Sequence, residues 1–232
     1  MSASLISASG ISLSGERTPR FLASVVGKKV VMAVSGFLLF GFVLAHLLGN
    51  LQFFEGPAKM DAYARFLRIE PAILWAARLT LLAAVAAHIW SAVQLALRKQ
   101  AARPIGYLKK KAVTSTYASR TMYWSGPIVG SFIVYHLLDF TLGVVNPGYQ
   151  EGKVFQNVVH SFENPLIASF YIFSMALLCT HLFHGAWSML QTLGIGSPRY
   201  TPFLKTLAGG LSIVIFLGFI SIPISVLLGF RG

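Results

Sequence analysis

The chain has 232 residues, of which 55% are hydrophobic and only 11% are charged, and its formal net charge is +12. A soluble domain carries about 25% charged residues, so this composition excludes an ordinary soluble protein and favours an integral membrane protein. Cys179 is the only cysteine, which excludes an intrachain disulfide and an iron–sulfur cluster held by several thiolates.

Five apolar stretches are each long enough to cross a bilayer as a helix of about 20 residues. In chain order they cover residues 30–54, 72–97, 122–145, 165–193 and 203–229. None of them alternates between apolar and polar residues as a strand does. The sequence therefore predicts an all-α integral membrane bundle of five transmembrane helices over residues 26–232. A cytoplasmic N-terminal tail, residues 1–25, precedes it.

Basic residues concentrate in alternate connections. The connection after the second span reads "RKQAARPIGYLKKK", and the tail and the connection after the fourth span are also basic. The two other connections, 55–71 and 146–164, hold charges of both signs. The positive-inside rule then places the N-terminus in the cytoplasm and the C-terminus outside. Because the basic residues flank spans, they indicate topology or the docking of a partner protein rather than a nucleic-acid partner.

Each of the first four predicted spans carries histidine, and the fifth carries none. An ionisable side chain inside a bilayer is costly and by default points to function; the alternative for any single histidine is a hydrogen bond to another helix. The histidines within the spans are His46, His88, His136, His181 and His184.

The depths of these histidines sort them into two pairs. At 1.5 Å per residue, His46 and His136 lie about 25 and 24 Å beyond the basic residues that mark the inner boundary. On the same scale, His88 and His181 lie about 27 and 26 Å from the outer boundary. The sequence thus predicts an outer and an inner pair, roughly 10–15 Å apart across the membrane.

Two imidazoles at one level suit the two axial positions of a haem iron. Zinc or copper would instead take three or four ligands at one level. His184 is an alternative to His181, or a partner for propionates, because it lies about one turn nearer the cytoplasm. Lys29 and Arg120 are further candidates to pair with haem propionates. Small residues that suit either a porphyrin or close helix packing are Gly49, Ala84, Ser91, Ala92 and Gly185.

Several stretches of the chain resemble a known family. The segment "SVVGKKVVMAVSGFLLFGFVLAHLLGNLQFF" resembles the first span of the cytochrome b558 subunit of bacterial succinate dehydrogenases, as do "DAYARFLRIEPAILWAARL", "HIWSA" and "HLFHGAWSMLQTLG" in their own order. The similarity runs over most of residues 21–195. The resemblance implies five helices and two b haems, with the first helix paired with the third and the second with the fourth. It thus implies His46 and His136 on the outer haem and His88 and His181 on the inner haem.

The resemblance also implies partners and a place in the cell. Such a subunit anchors a flavoprotein and an iron–sulfur subunit to the cytoplasmic face of the bacterial inner membrane, as part of respiratory complex II. It passes electrons between the iron–sulfur subunit and menaquinone or another quinone, for succinate oxidation or fumarate reduction. The succinate site lies on a partner subunit. Glu70, beside Pro71, is the nearest candidate for the group that handles the quinone, and Asn50 is a weaker candidate. The alternative for Glu70 is a charge at the start of a helix that the helix dipole favours.

The chain differs from the family pattern at one position, and several other functions are alternatives to this interpretation. Some fumarate reductases of this type carry a glutamate on a proposed proton route where this chain has Cys179, so that route is in doubt. Another quinone-linked cytochrome b anchor, of a hydrogenase or a formate dehydrogenase, is the nearest rival. A cytochrome of the bc type would place two ligands about fourteen residues apart on one helix. A non-haem transporter would need polar breaks and paired charges in mid-span.

Overall fold

The computed structural model describes residues 21–102, 117–195, 197 and 199–232, and every regular element in these ranges is a helix. The all-α prediction is therefore confirmed. Two short 3-10 helices cover Phe21–Ala23 and Leu51–Glu55. The α-helices are α1 (Val25–Asn50), α2 (Pro57–Phe66), α3 (Pro71–Ala101), α4 (Tyr117–Phe140), α5 (Val154–Phe162), α6 (Pro165–Thr192) and α7 (Thr201–Leu227).

In the described ranges, four helical segments are long and apolar enough to cross a membrane: α1 with its 3-10 extension, α3, α6 and α7. These four segments make the chain a multi-pass membrane protein. The prediction had five spans, and the difference is α4. That helix has 24 residues but carries Pro127, His136 and Asp139, which lower its apolarity. The predicted tail lies almost wholly in residues 1–20, outside the described ranges.

The third predicted span is too long at its C-terminal end. It was predicted to reach residue 145, whereas α4 ends at Phe140. The cause is Gly143, whose φ of +69° is a left-handed conformation that stops a helix. A side chain at this position would also collide with the ring of Tyr149. The backbone N–H of Leu142 closes the end by donating to the carbonyl oxygen of Leu137 at 2.9 Å.

The bundle is organised around α1 and α6. Helix α1 packs on α3 and α6, and α6 packs on α4 and α7 as well as on α1. In the described part of the chain, α3 and α6 form no extensive contact, and neither do α1 and α4.

The connections 51–70 and 141–164 fold over one end of the bundle, which we call the capped end. Phe53 of the first connection stacks on Phe155 of α5 with ring centroids 4.7 Å apart. The buried carboxylate of Asp61 in α2 accepts a hydrogen bond from the backbone N–H of Phe155 at 3.0 Å. The C-terminal Arg231 joins the same end through an ion pair with Glu163 at 3.2 Å. The sequence analysis did not predict α2 and α5, which are too short to span a membrane.

The outer surface of the bundle is apolar. Helix α3 is the clearest case, because it exposes large apolar side chains along its whole length. An apolar surface of this extent suits hydrocarbon rather than water. The exposed apolar residues of α3 include Ile73, Trp75, Leu79, Leu82, Ile89, Trp90, Val93 and Leu97.

Candidate functional site

The four predicted ligand histidines meet in two pairs inside the bundle. The ring centroids of His46 and His136 lie 5.7 Å apart, and those of His88 and His181 lie 6.2 Å apart. An imidazole nitrogen lies about 2 Å from a metal that it ligates and about 1 Å from its ring centroid, so two opposed ligands have centroids about 6 Å apart. These are the two pairs expected from depth, at the spacing of two ligands on one metal; ligation itself stays a prediction.

Two helices measure the separation of the pairs independently. On α1, Ser35 contacts His88, which belongs to one pair. His46, which belongs to the other pair, lies eleven residues after Ser35, and this count corresponds to about 16 Å of helix. On α6, Tyr171 packs against His136 and His181 pairs with His88, and ten residues correspond to about 15 Å. The pair His46–His136 lies toward the capped end. We call it the capped-end pair and the other the open-end pair.

Each pair bridges two helices that do not otherwise pack extensively on one another. His88 and His181 reach across from α3 to α6, and His46 and His136 reach across from α1 to α4. Helices in direct contact have axes 8–10 Å apart and leave no room for a planar cofactor. A planar cofactor held between each pair of imidazoles would need helices separated in this way.

The hydrogen bonding of His88 leaves its Nε2 atom available as a ligand. The hydroxyl of Ser35 donates to the carbonyl oxygen of Val31 at 2.7 Å. Its oxygen, 3.2 Å from Nδ1 of His88, therefore acts as the acceptor there. Nδ1 then carries the proton, and the lone pair is on Nε2, as in metal-ligating histidines whose second nitrogen donates to a neighbouring group.

His136 and His181 retain unused hydrogen-bonding capacity. The Nδ1 atom of each is buried without a hydrogen-bond partner in the protein. Buried polar atoms of this kind are rare in native structures, and each calls for an explanation. A histidine that ordinary helix-to-helix hydrogen bonding explained would have its partner here. The simple hydrogen-bond alternative therefore does not account for Nδ1 of these two residues.

Aromatic rings enclose the capped-end pair. Phe42 stacks on His46 with centroids 5.2 Å apart, and Phe219 of α7 lies 6.1 Å from the same ring. Phe132 and Phe140 flank His136 at 5.8 and 5.5 Å. An apolar shell of this kind limits the access of water and so influences the reduction potential of a bound metal group.

Gly36 provides the space beside the open-end pair, and the sequence analysis did not identify it. A Cβ atom placed on Gly36 would lie 3.4 Å from Cε1 of His88. We expect Gly36→Val to displace the His88 ring and to lower open-end haem content several-fold, while the capped-end haem stays bound. Gly41→Val is the matched control on the same helix, because nothing lies within 4 Å of the added Cβ. Haem per protein, measured by optical absorption, checks this, and equal losses in the two variants would contradict it.

The small residues singled out in the sequence have different environments. Ala84 and Ser91 are buried on the face of α3 that carries His88, whereas Ala92 is exposed. Gly49 serves helix packing, because a Cβ there would lie 2.8 Å from the ring of Tyr63 in α2. Gly185 has open space around its Cα.

The secondary candidates at the open end do not all point into the site. His184 is partly buried one turn from His181 and takes no part in the histidine pairs. Lys29 is exposed, and its neighbour Lys28 is the inward residue, with Nζ 2.8 Å from Oε1 of Gln94. The side chain of Arg120 lies outside the described part of the structure.

The quinone candidates lie at the capped end. Glu70 is exposed at the position before α3, and its side chain makes no capping hydrogen bond. Asn50 ends α1 and donates from Nδ2 to the carbonyl oxygen of His46 at 2.7 Å, which is a helix-closing role. Cys179 is buried against Leu47 and Ile215 in an apolar cluster.

Asp139 is a buried acid that the sequence analysis missed. It is 1% exposed, and its Oδ2 atom accepts hydrogen bonds from Ser161 and Tyr171, both at 2.8 Å. Tyr171 in turn packs its ring against His136 with centroids 6.1 Å apart. The available signal was an acidic residue within a predicted span, in "HLLDF", because such residues are rare and usually functional.

The described residues hold their candidate ligands in pairs, and no group of three or more His, Cys, Asp or Glu side chains among them could hold a metal ion. Two ligands on each site suit an iron whose other four positions are filled by a porphyrin. Comparison of the chain with protein-family models, with curated proteins and with solved structures finds no match.

Proposed function

We propose that this chain is the dihaem cytochrome b membrane anchor of a succinate:quinone oxidoreductase. The observation that carries the proposal is the meeting of His46 with His136 and of His88 with His181, at two levels about 15 Å apart. The resemblance of residues 21–195 to the cytochrome b558 family supplies the choice of enzyme.

In this proposal α4 is a fifth transmembrane helix, which brings His136 and Asp139 into the membrane. The basic connections follow the positive-inside rule when the open end faces the cytoplasm of a bacterial cell. The capped end then faces outward together with the C-terminus. The capped-end pair corresponds to the outer haem and the open-end pair to the inner haem.

The two haems, when bound, would carry single electrons across the membrane between the partner subunits and quinone. The protein's own residues hold and orient that group. Ser35 would hold His88 in the tautomer that donates from Nδ1 and leaves Nε2 as the ligand atom. The aromatic shell of the capped-end pair would exclude water from a group held by that pair.

The partners of the proposal are a flavoprotein and an iron–sulfur subunit on the cytoplasmic face. The basic run Lys109, Lys110 and Lys111 is the candidate docking element, and it lies outside the described residues. Lys28 and Arg98 add positive charge to the described part of the same face. Arg98 donates to the carbonyl oxygen of Ala23 at 2.6 Å and so ties the start of the chain's first helix to the end of α3.

A reduced-minus-oxidised optical spectrum of the purified chain tests the haem assignment. We expect b-type haem bands with two haems per chain, because each pair offers both axial ligands. Absence of haem after expression with an adequate haem supply would reject it.

The nearest rival, a hydrogenase or formate dehydrogenase anchor, would give the same spectrum. Mass spectrometry of the subunits that co-purify distinguishes the two, since only the proposed complex contains a succinate-oxidising flavoprotein.

A further inference from the structure

A cleft lies at the open end of the bundle, where the start of α1 meets the end of α3. Its volume is about 630 Å³, within the range of small-molecule sites. The 3-10 helix Phe21–Ala23 forms one wall. Arg98 holds this wall in place, because its guanidinium donates to the carbonyl oxygen of Ala23 at 2.6 Å. Lys28 and Trp90 complete the lining.

Lys28 is a buried cation in this cleft, and only 5% of it is exposed. Its ammonium group has three N–H donors, one of which goes to Oε1 of Gln94 at 2.8 Å. Nζ also lies 5.7 Å from the centre of the Trp90 ring. Neither of these partners carries a charge, whereas a buried charge is ordinarily paired with an opposite one. Two donors of Lys28 therefore remain for an anion.

The described part of the chain supplies no such anion at the open end. The sequence has seven acidic residues, and Glu16 lies outside the described ranges. Arg98 adds a second positive charge to the lining of the cleft, so the site favours a ligand of negative charge. The acidic residues of the described ranges all lie at the capped end: Glu55, Asp61, Glu70, Asp139, Glu151 and Glu163.

The walls of the cleft favour an amphiphilic ligand over a free ion. Phe21, Leu22 and Trp90 line it with exposed apolar side chains, and tryptophan is enriched at the boundary between headgroups and hydrocarbon. From Trp90 the exposed residues Leu82 and Leu79 continue the apolar surface of α3 toward the middle of the membrane. Acyl chains can lie on this surface while a phosphate group reaches the two basic side chains.

The cleft lies on a different side of α3 from the open-end pair. Trp90 follows His88 by two residues, which corresponds to a rotation of about 200° around the helix axis. His88 contacts Ser35 and His181 inside the bundle, whereas Trp90 is exposed on the outer surface. A ligand in the cleft is therefore separate from a group held between His88 and His181.

We propose that this cleft binds the phosphate headgroup of an anionic glycerophospholipid, with Lys28 as the residue that selects the negative charge. The inference goes beyond the proposed function and requires neither haem nor a partner subunit. Basic pockets between transmembrane helices at the membrane boundary suit acidic headgroups. A zwitterionic lipid carries the same phosphate, but its own ammonium group cancels the charge and is repelled by Lys28 and Arg98.

Native mass spectrometry of the full chain in detergent tests the proposal, because it resolves the first lipid that binds. The chain is titrated with dioleoylphosphatidylglycerol and, separately, with dioleoylphosphatidylcholine, which has the same acyl chains and no net charge. We expect the anionic lipid to bind at least about fivefold more tightly. Excess inorganic phosphate should not displace it, since a free ion lacks the acyl chains. Displacement by phosphate would assign the cleft to a free anion and overturn the proposal.

Lys28→Met removes the charge and keeps a straight apolar side chain, so it should abolish the preference for the anionic lipid. Arg98→Gln changes an exposed side chain at the rim of the cleft, and it should reduce the preference even if Lys28→Met fails to fold. Lys29→Met is the matched control, because Lys29 is exposed and does not line the cleft. It loses the same charge and should keep the preference.

Equal affinities for the two lipids in the unaltered chain would overturn the inference. So would an equal loss of preference in Lys28→Met and Lys29→Met, which would mean that the net charge of the surface, rather than the cleft, attracts the lipid. The haem content of each variant is recorded from its spectrum and should be unchanged. Loss of the open-end haem in Lys28→Met would instead assign Lys28 to a haem propionate. Absence of haem from the unaltered chain rejects the proposed function alone.

Discussion

Replacing His88 or His181 by Ala is expected to remove one of two haems and leave the other. Each pair supplies both axial ligands of its own iron, and the pairs lie about 15 Å apart along the helices, so the loss should stay local. His46→Ala and His136→Ala should show the converse. Haem per chain and the reduced-minus-oxidised spectrum of each variant measure this, and the two groups of variants should lose different spectral components.

His184→Ala is the matched control for these variants, because it removes an imidazole one turn from His181 that pairs with no other histidine. It should retain both haems. Unchanged haem content in all four ligand variants would contradict the assignment as a whole. Loss of haem in His184→Ala with retention in His181→Ala would exchange the roles of these two residues.

Asp139→Leu is expected to destabilise the capped end strongly. The substitution removes the acceptor of two buried hydroxyls, those of Ser161 and Tyr171, and an unsatisfied buried donor costs about 1–3 kcal/mol. Because Tyr171 packs against His136, the haem of the capped-end pair should be lost first on heating, while the open-end haem remains. Thermal loss of each spectral component measures this.

Asp139→Asn separates the hydrogen bonds from the size of the side chain. The amide retains one oxygen that can accept from both hydroxyls, so we expect most of the stability and both haems to persist. A result in which Asn is as damaging as Leu would mean that the negative charge, rather than the acceptor, stabilises this region. Equal thermal behaviour of Asp139→Leu and the unaltered chain would refute a structural role for the network.

The pairing of the histidines could be predicted from the sequence because helix geometry is nearly invariant. A constant rise of 1.5 Å per residue turns sequence distance from a membrane boundary into depth. His46 with His136, and His88 with His181, therefore follow from counting residues, and these rings lie together in the structure. The same regularity accounts for the all-α class and for the four apolar helices.

The C-terminal end of α4 could not be predicted from the sequence by counting residues. Hydropathy continues through "TLGVV", and the helix stops earlier because Gly143 takes a positive φ against the ring of Tyr149. The short helices α2 and α5 were missed for a related reason. Their folding over the bundle depends on contacts between distant segments, such as Phe53 with Phe155, which no local pattern records.

The sequence by itself determined depth and composition: which histidines share a level, and that the chain is a multi-pass membrane protein. Only the tertiary structure decided how each helix is rotated about its own axis and which side chains are in contact. It placed Ser35 and Gly36 against His88, turned Lys28 rather than Lys29 inward, and left Oδ1 of Asn146 without a donor. The physical reason is that rise along a helix is fixed by its own hydrogen bonds, whereas the direction a helix faces is set by the side chains of its neighbours.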